Sequence, residues 1–268
     1  MCEDKLEKQS FSEETAKALL QFAQRQFEEE GQRVHFIKGE DDVNEILNPL
    51  GYYPHAFVLA CVMDRQIKAE NAWRIPKIVF DNLGRFDIDF LGDSENDIHE
   101  IFRRYVKHHY KKQMAGYFCH AVKKIKNQYD GDASRIWNDK PSSGMMIYRF
   151  MQFDGVGLKI ATMATNILVR QFGIKIKDKS SIDISPDVHT VRVFQRLGLT
   201  SFDHDFSSDK KKTSTVYMAR AINPEYPGIF DYPCWYVGSI FCDAQGQKCK
   251  KDGETCPFFD FCPSRIDN

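Results

Sequence analysis

The chain predicts an all-helical fold in two lobes. Three observations carry that expectation. Apolar residues recur at helical spacing in segment after segment of the 268 residues. The breaks between segments fall at Gly84, Gly116, Gly131 and Pro141, residues that end or bend helices. Near the middle, Gly155-Val156-Gly157 separates two helical stretches, which makes a helix, a glycine-pinched hairpin and a second helix.

Taken in order, Ser10 to Glu13 supplies capping residues, and Ala16, Leu19, Leu20, Ala23 and Phe27 follow at helical spacing until Gly31. Residues 32 to 51 are mixed, with a short strand expected at Val34 to Ile37 and a weak helix around Val43 to Leu47. From His55 to Met63 the chain is almost wholly apolar, as a helix surrounded by others should be. Further helices are expected over Ile75 to Leu83, Glu95 to Tyr110, Ala115 to Gln128, Gly144 to Phe153 and Pro233 to Phe241. Asp187 stands before the pattern Val191, Phe194, Leu197 and suits an N-cap.

The hairpin leaves backbone N–H groups free to hold a phosphate, and Lys159 lies just beyond it. At about 100° per residue, Ile160, Ala161, Ala164, Ile167 and Leu168 share one side of that helix, whereas Thr162, Met163, Asn166 and Arg170 gather near Lys159. Lys159 is therefore expected to point away from the core. Asp187 follows 28 residues later, within Pro186-Asp187-Val188-His189, and the two suggest a nucleophile with its carboxylate partner. Asp183 is the alternative carboxylate.

These residues resemble the helix-hairpin-helix DNA glycosylases of the endonuclease III and 8-oxoguanine glycosylase type. The family hairpin reads Leu-Pro-Gly-Val-Gly-x-Lys; here Phe153-Asp154-Gly155-Val156-Gly157-Leu158-Lys159 stands in its place. Asp187-Val188-His189-Thr190-Val191-Arg192-Val193 is similar to its Asp-x-His-x-x-Arg-Val. Asp154 replaces the usual proline, and Pro186 replaces an aliphatic residue. The resemblance implies that Lys159 and Asp187 are catalytic and that Gln66, at the end of the apolar helix, fills the gap left by a flipped base. It also implies DNA contacts at Gly155, Val156, Gly157, His189 and Arg192. The expected lobes are a six-helix bundle over 52–171, ending in the hairpin motif at 144–171, and a second lobe of 1–51 with 172–268, with DNA received between them.

The chemistry fits those residue types. Cleaving an N-glycosidic bond builds positive charge on the sugar, which a carboxylate stabilises and an amine captures at C1′. An amine nucleophile yields a Schiff base, and β-elimination follows from it, so base removal with strand cleavage (AP lyase activity) is the expected pair. The alternatives are a monofunctional glycosylase and a catalytically silent DNA-binding or damage-sensing protein.

Cys242, Cys249, Cys256 and Cys262 are four thiols within 21 residues. No Cys-x-x-Cys pair occurs among them, so wide loops around a [4Fe-4S] cluster fit better than a single zinc ion. The family's loop is shorter by four residues between its second and third ligands. Cys2, Cys61, Cys119 and Cys234 read as ordinary thiols.

With 37 Lys+Arg against 38 Asp+Glu the formal charge is -1, which argues against a general polyanion binder and requires a local basic patch for DNA. Arg103 to Lys126 provides one, with eight Lys/Arg, no Asp or Glu, and interleaved aromatics. No run nears the roughly 20 apolar residues of a membrane span, and the polar start is unlike a secretory signal. An intracellular monomer acting on double-stranded DNA that carries a damaged or modified base is the expectation.

Overall fold

The computed structural model describes residues 13–29, 36–200, 207–242, 248–251 and 253–266. Two compact units emerge, Glu30–Asp178 and Met1–Glu29 with Lys179–Asn268. Among the described residues the regular structure is helical apart from one pair of two-residue strands.

The first unit contains α2 (Asp41–Leu47), α3 (Pro54–Met63), α4 (Ala69–Leu83), α5 (Ile88–Asp93), α6 (Glu95–Tyr105), α7 (Lys111–Gln128), α8 (Ser143–Met151) and α9 (Leu158–Arg170). All ten residues of α3 are buried, against α4, α7 and α9 among others. A helix apolar on every side has no face to show water, so its neighbours must enclose it. Each Leu, Val or Phe it buries contributes about 1.5–3 kcal/mol. His55 is the polar exception, and its ring Nε2 lies 2.6 Å from the Phe86 carbonyl oxygen.

Several expectations shift. The helix expected from Ile75 begins at Ala69 and runs through Pro76, because burial of Ala72, Trp73, Ile75 and Pro76 offsets the missing N–H. Gly116 lies inside α7 and does not break it, and α6 stops at Tyr105. Of the expected strand at Val34 to Ile37, Val34 and His35 lie outside the described residues, while Phe36 and Ile37 form a bend. Phe36 packs on Trp73, Phe57 and Phe172 with ring centroids 4.8, 6.2 and 6.2 Å away. The Asn44 side chain accepts from Ile37 N–H at 3.2 Å and donates to its carbonyl at 2.8 Å, and Glu40 pairs with Arg74 at 2.5 Å. The described part of residues 32–51 therefore docks on α3 and α4 and belongs to the compact unit Glu30–Asp178.

The second unit holds α1 (Glu13–Glu29), α10 (Val188–Arg196), α11 (Ser208–Ile222), α12 (Asp231–Ile240) and an antiparallel pair, β1 (Lys250–Lys251) with β2 (Glu254–Thr255). Phe22 of α1 meets Phe258 edge-on at 5.1 Å. α10 crosses α12 so closely that a Cβ at Gly238 would lie 2.7 Å from His189 Cβ and 3.0 Å from its Cα and carbonyl oxygen. Burial of Phe27 lies outside the described residues. No helix among the described residues is long and apolar enough to cross a membrane.

Candidate active site

Gly155 turns the chain between α8 and α9 with φ +82, a left-handed conformation that side-chain-bearing residues avoid. A Cβ there would also stand 2.8 and 2.9 Å from carbons of the Tyr117 ring. Val156 N–H closes the turn on the Phe153 carbonyl at 3.1 Å. Arg65 fastens it from α3's end, with Nη1 donating to Gly155 O at 3.3 Å and its guanidinium 6.0 Å from the Tyr117 ring centroid. Gly157 then opens α9 with extended backbone and no side-chain cap, and a Cβ there would meet nothing within 4 Å. The first-turn N–H groups of α9 have no intrahelical acceptor, so the hairpin offers an anion an unblocked approach. Asp154 Oδ2, in the place of the family's proline, lies 2.8 Å from His120 Nδ1.

Lys159 is exposed, as its helical angle predicts. Thr162 and Asn166, placed by angle near the lysine, are buried, and Ile167 is only half-buried. After its first turn α9 is enclosed on almost every side, and the lysine stands at its open end. There Lys159, Ile160 and Met163 line a pocket of about 470 Å³ together with Asp64, Gln66, Ile67 and Lys68. The structure thus brings two sequence-identified residues, Lys159 and Gln66, to one pocket. Gln66 is exposed with φ +56, an uncommon conformation for a residue with a side chain.

Asp64 was not among the sequence candidates. It caps the C-terminus of α3, its N–H bonded to Cys61 O at 3.1 Å. Burial raises its carboxyl above the usual carboxylate range, and the nearby Lys159 charge opposes that rise. The available signal was an acid ending a wholly apolar helix two residues before Gln66.

In the other unit Asp187 is the N-cap of α10, as expected. Its Oδ1 accepts from His189 N–H and Thr190 N–H, both at 2.8 Å, while Asp187 N–H donates to Thr190 Oγ1 at 2.8 Å. That reciprocal capping box fixes the carboxylate's direction. Asp183 is bound instead by Arg220, with two bonds of 2.6 Å. Arg192 braces α12, donating to Gly238 O at 3.0 Å and to Cys242 O, with Nη2 3.1 Å from His189 Nδ1.

Cys242, Cys249, Cys256 and Cys262 are all buried. They interact electrostatically with one another, and burial raises Cys256 to about 12. Cys256 N–H donates to Cys249 O at 2.8 Å, and Cys262 Sγ lies 3.5 Å from Arg196 O. Among the described residues, the one trio of His, Cys or carboxylate groups with ligand atoms within 4.8 Å of one another is Glu95, His99 and Cys119. There Lys123 already neutralises Glu95, at 2.7 Å.

The basic stretch is less basic than its sequence. Arg103 and Arg104 both pair with Glu100, Lys123 with Glu95, and Lys126 with Asp89. All three acids precede the stretch in sequence: Glu100 meets its arginines one turn along α6, while Glu95 and Asp89 reach Lys123 and Lys126 through the packing of α6 and α5 on α7. Lys107, Lys111, Lys112 and Lys124 pair with none of these acids, and Lys111 and Lys112 stand beside His108 and His109 around a cavity of about 800 Å³.

Helix, glycine hairpin and helix with a lysine at the second helix's open end define a helix-hairpin-helix fold. No family model matches the chain, and no curated sequence does. Among solved structures it is similar to a trapped endonuclease III–DNA covalent intermediate, an estranged-adenine complex, with TM-score 0.56 and 18% identity over 94% of this chain and 95% of that one. A second similar structure is the 8-oxoguanine DNA glycosylase of Thermotoga maritima, TM-score 0.45 and 19% identity over 84% of this chain and 96% of that one. The chain shares the fold of that endonuclease III structure across nearly the whole length of both chains.

Proposed function

We infer that this protein is a DNA glycosylase of base-excision repair, which extrudes a damaged or modified base and cleaves its N-glycosidic bond with Lys159 as nucleophile. The observation that carries this reading is the pocket that Lys159 shares with Gln66, at the first turn of the helix leaving the hairpin. The likeness to a trapped endonuclease III–DNA covalent intermediate supports it.

In the proposed reaction the hairpin N–H groups hold a backbone phosphate beside the target nucleotide. Gln66, held outward at the end of the apolar helix, occupies the space the base leaves. Extrusion costs a few kcal/mol, and phosphate contacts at the hairpin and at Lys111 and Lys112 offset it. The Lys159 amine bonds to C1′ as the C1′–N bond breaks, and Asp187 stabilises the positive charge that develops on the sugar. Ring opening leaves a Schiff base. Its electron withdrawal acidifies the C2′ hydrogen, and loss of that proton expels the 3′ phosphate, so AP lyase activity accompanies base removal.

A [4Fe-4S] cluster on Cys242, Cys249, Cys256 and Cys262 completes the proposal. The four thiols are buried, and Cys242, Cys249 and Cys262 all lie near enough to Cys256 to act on it electrostatically. If bound, the cluster would cross-link the C-terminal chain and compensate the thiolates of Cys242, Cys256 and Cys262, which burial disfavours.

A panel of duplexes, each with one lesion opposite each partner base, tests the reading. Release of a free base from at least one duplex, lost in Lys159→Ala, is expected. Base release that survives Lys159→Ala would make the enzyme monofunctional, and no release from any duplex would leave a binding protein.

A further inference from the structure

Asp64 is a carboxyl group in the Lys159 pocket for which the proposed reaction has so far no use. It stands at the C-terminal end of α3, where the backbone turns from helix into the strained Gln66, and it shares the pocket wall with Gln66, Ile67, Lys68, Lys159, Ile160 and Met163. A carboxylate taken from water without a compensating partner is costly. Lys159 is the charged group that offsets the penalty. The other titratable neighbours are differently engaged. Cys61, one turn back on α3, is wholly buried. Arg65 turns away to the Gly155 carbonyl, and His108 has its Nε2 2.8 Å from Arg65 O. Lys68 also lines the pocket but is exposed.

We propose that Asp64 is the proton acceptor for Lys159: it takes a proton from the lysine ammonium when the target nucleotide enters the pocket and returns it to the departing base. The inference rests on the glycosylase reading above. The step balances. Transfer of one proton from the ammonium to the Asp64 carboxylate leaves a neutral amine and a carboxylic acid. The amine lone pair forms the bond to C1′, the C1′–N electron pair leaves with the base, and the acid protonates that base. The carboxylate is regenerated, and the positive charge ends on the nitrogen now joined to the sugar.

Partial burial suits the role. A carboxyl held above its usual range is a better match for a proton it must accept and then give back. Asp187 is placed differently, with one carboxylate oxygen committed to two backbone donors. The two acids thus divide the work, Asp187 as a fixed negative charge and Asp64 as the group that moves a proton.

Two measurements on the full-length, cluster-loaded protein decide it. The first is the titration of the Asp64 side-chain carboxyl carbon by NMR, its signal assigned by its loss in Asp64→Asn. In Lys159→Met the midpoint should move upward, because the positive charge that opposes the rise is gone. An unchanged midpoint overturns the proposal whatever the enzyme's activity. The second is the pH dependence of base release. Wild type should lose rate as pH falls through the Asp64 titration. Asp64→Asn should fall about 100-fold or more and lose that acid limb, while Asp64→Glu recovers part of both. Wild-type rates with the same acid limb in Asp64→Asn would overturn the Asp64 role and leave the glycosylase reading standing. A wild type that releases no base from any duplex overturns both.

Discussion

α3 hides all ten of its side chains among other helices, whereas along residues 253–266 Cys256, Phe258 and Cys262 are the buried ones and the regular structure is a two-residue strand. The first region is stabilised by apolar area removed from water, which every neighbouring helix adds to. The second has few apolar residues to order itself that way, and the cluster proposed on its four buried thiols would replace the missing core. One comparison follows for function. Lys159 and Asp64 sit at the rim of a region ordered by packing, and Asp187 and Arg192 stand in the unit that carries the proposed cluster ligands.

The largest effect that would sharpen this contrast is loss of a proposed cluster ligand. Cys256→Ala should abolish hydrogen-exchange protection in residues 248–266 while amides of α3 stay protected, since metal binding at structural sites contributes on the order of 10 kcal/mol. Equal protection in the variant would break the comparison. In the bundle, Leu59→Ala should cost about 2–5 kcal/mol by leaving a cavity in an enclosed helix, measured by denaturant unfolding. Gly238→Ala should cost about 1–3 kcal/mol, because its new methyl would strike the His189 backbone and not a movable side-chain tip. It should also loosen the α10 cap that holds Asp187.

The smallest effect is one of pH. Burial holds His55 below its ordinary value despite its bond to Phe86 O. The unfolded chain therefore takes up a proton near pH 6.5 that the folded chain refuses, and stability falls as pH drops below about 6.5. The slope should not exceed one proton, and His55→Gln should remove it. A bundle whose stability is flat between pH 7 and 5 would contradict this.

What the residues disclosed by themselves follows the same division. Helices with strong periodicity or a wholly apolar run, such as α1 and α3, were legible because burial imposes the pattern directly. α11 was not, since Lys210, Lys211 and Lys212 in its first turns hide its apolar positions and its start is set by the Ser207 cap, 3.3 Å from Lys210 N–H. The α4 start was missed because Pro76 reads as a first-turn residue until the packing of Trp73 is known. Lys159 and Gln66 were found through a motif and a helix end. Asp64 was not, since its significance lies in which lysine the fold sets beside it. The basic stretch was overread for the converse reason, as its counter-charges come from Asp89, Glu95 and Glu100, outside the window.

The central claim is that the Lys159 amine forms a covalent bond to the sugar of an extruded nucleotide. Borohydride reduction of the protein mixed with a cleavable lesion duplex tests it most directly. The expected result is a stable protein–DNA adduct whose DNA-bearing peptide contains Lys159, and no adduct from Lys159→Ala. An adduct mapped to another residue, or base release by wild type with no adduct, would contradict it.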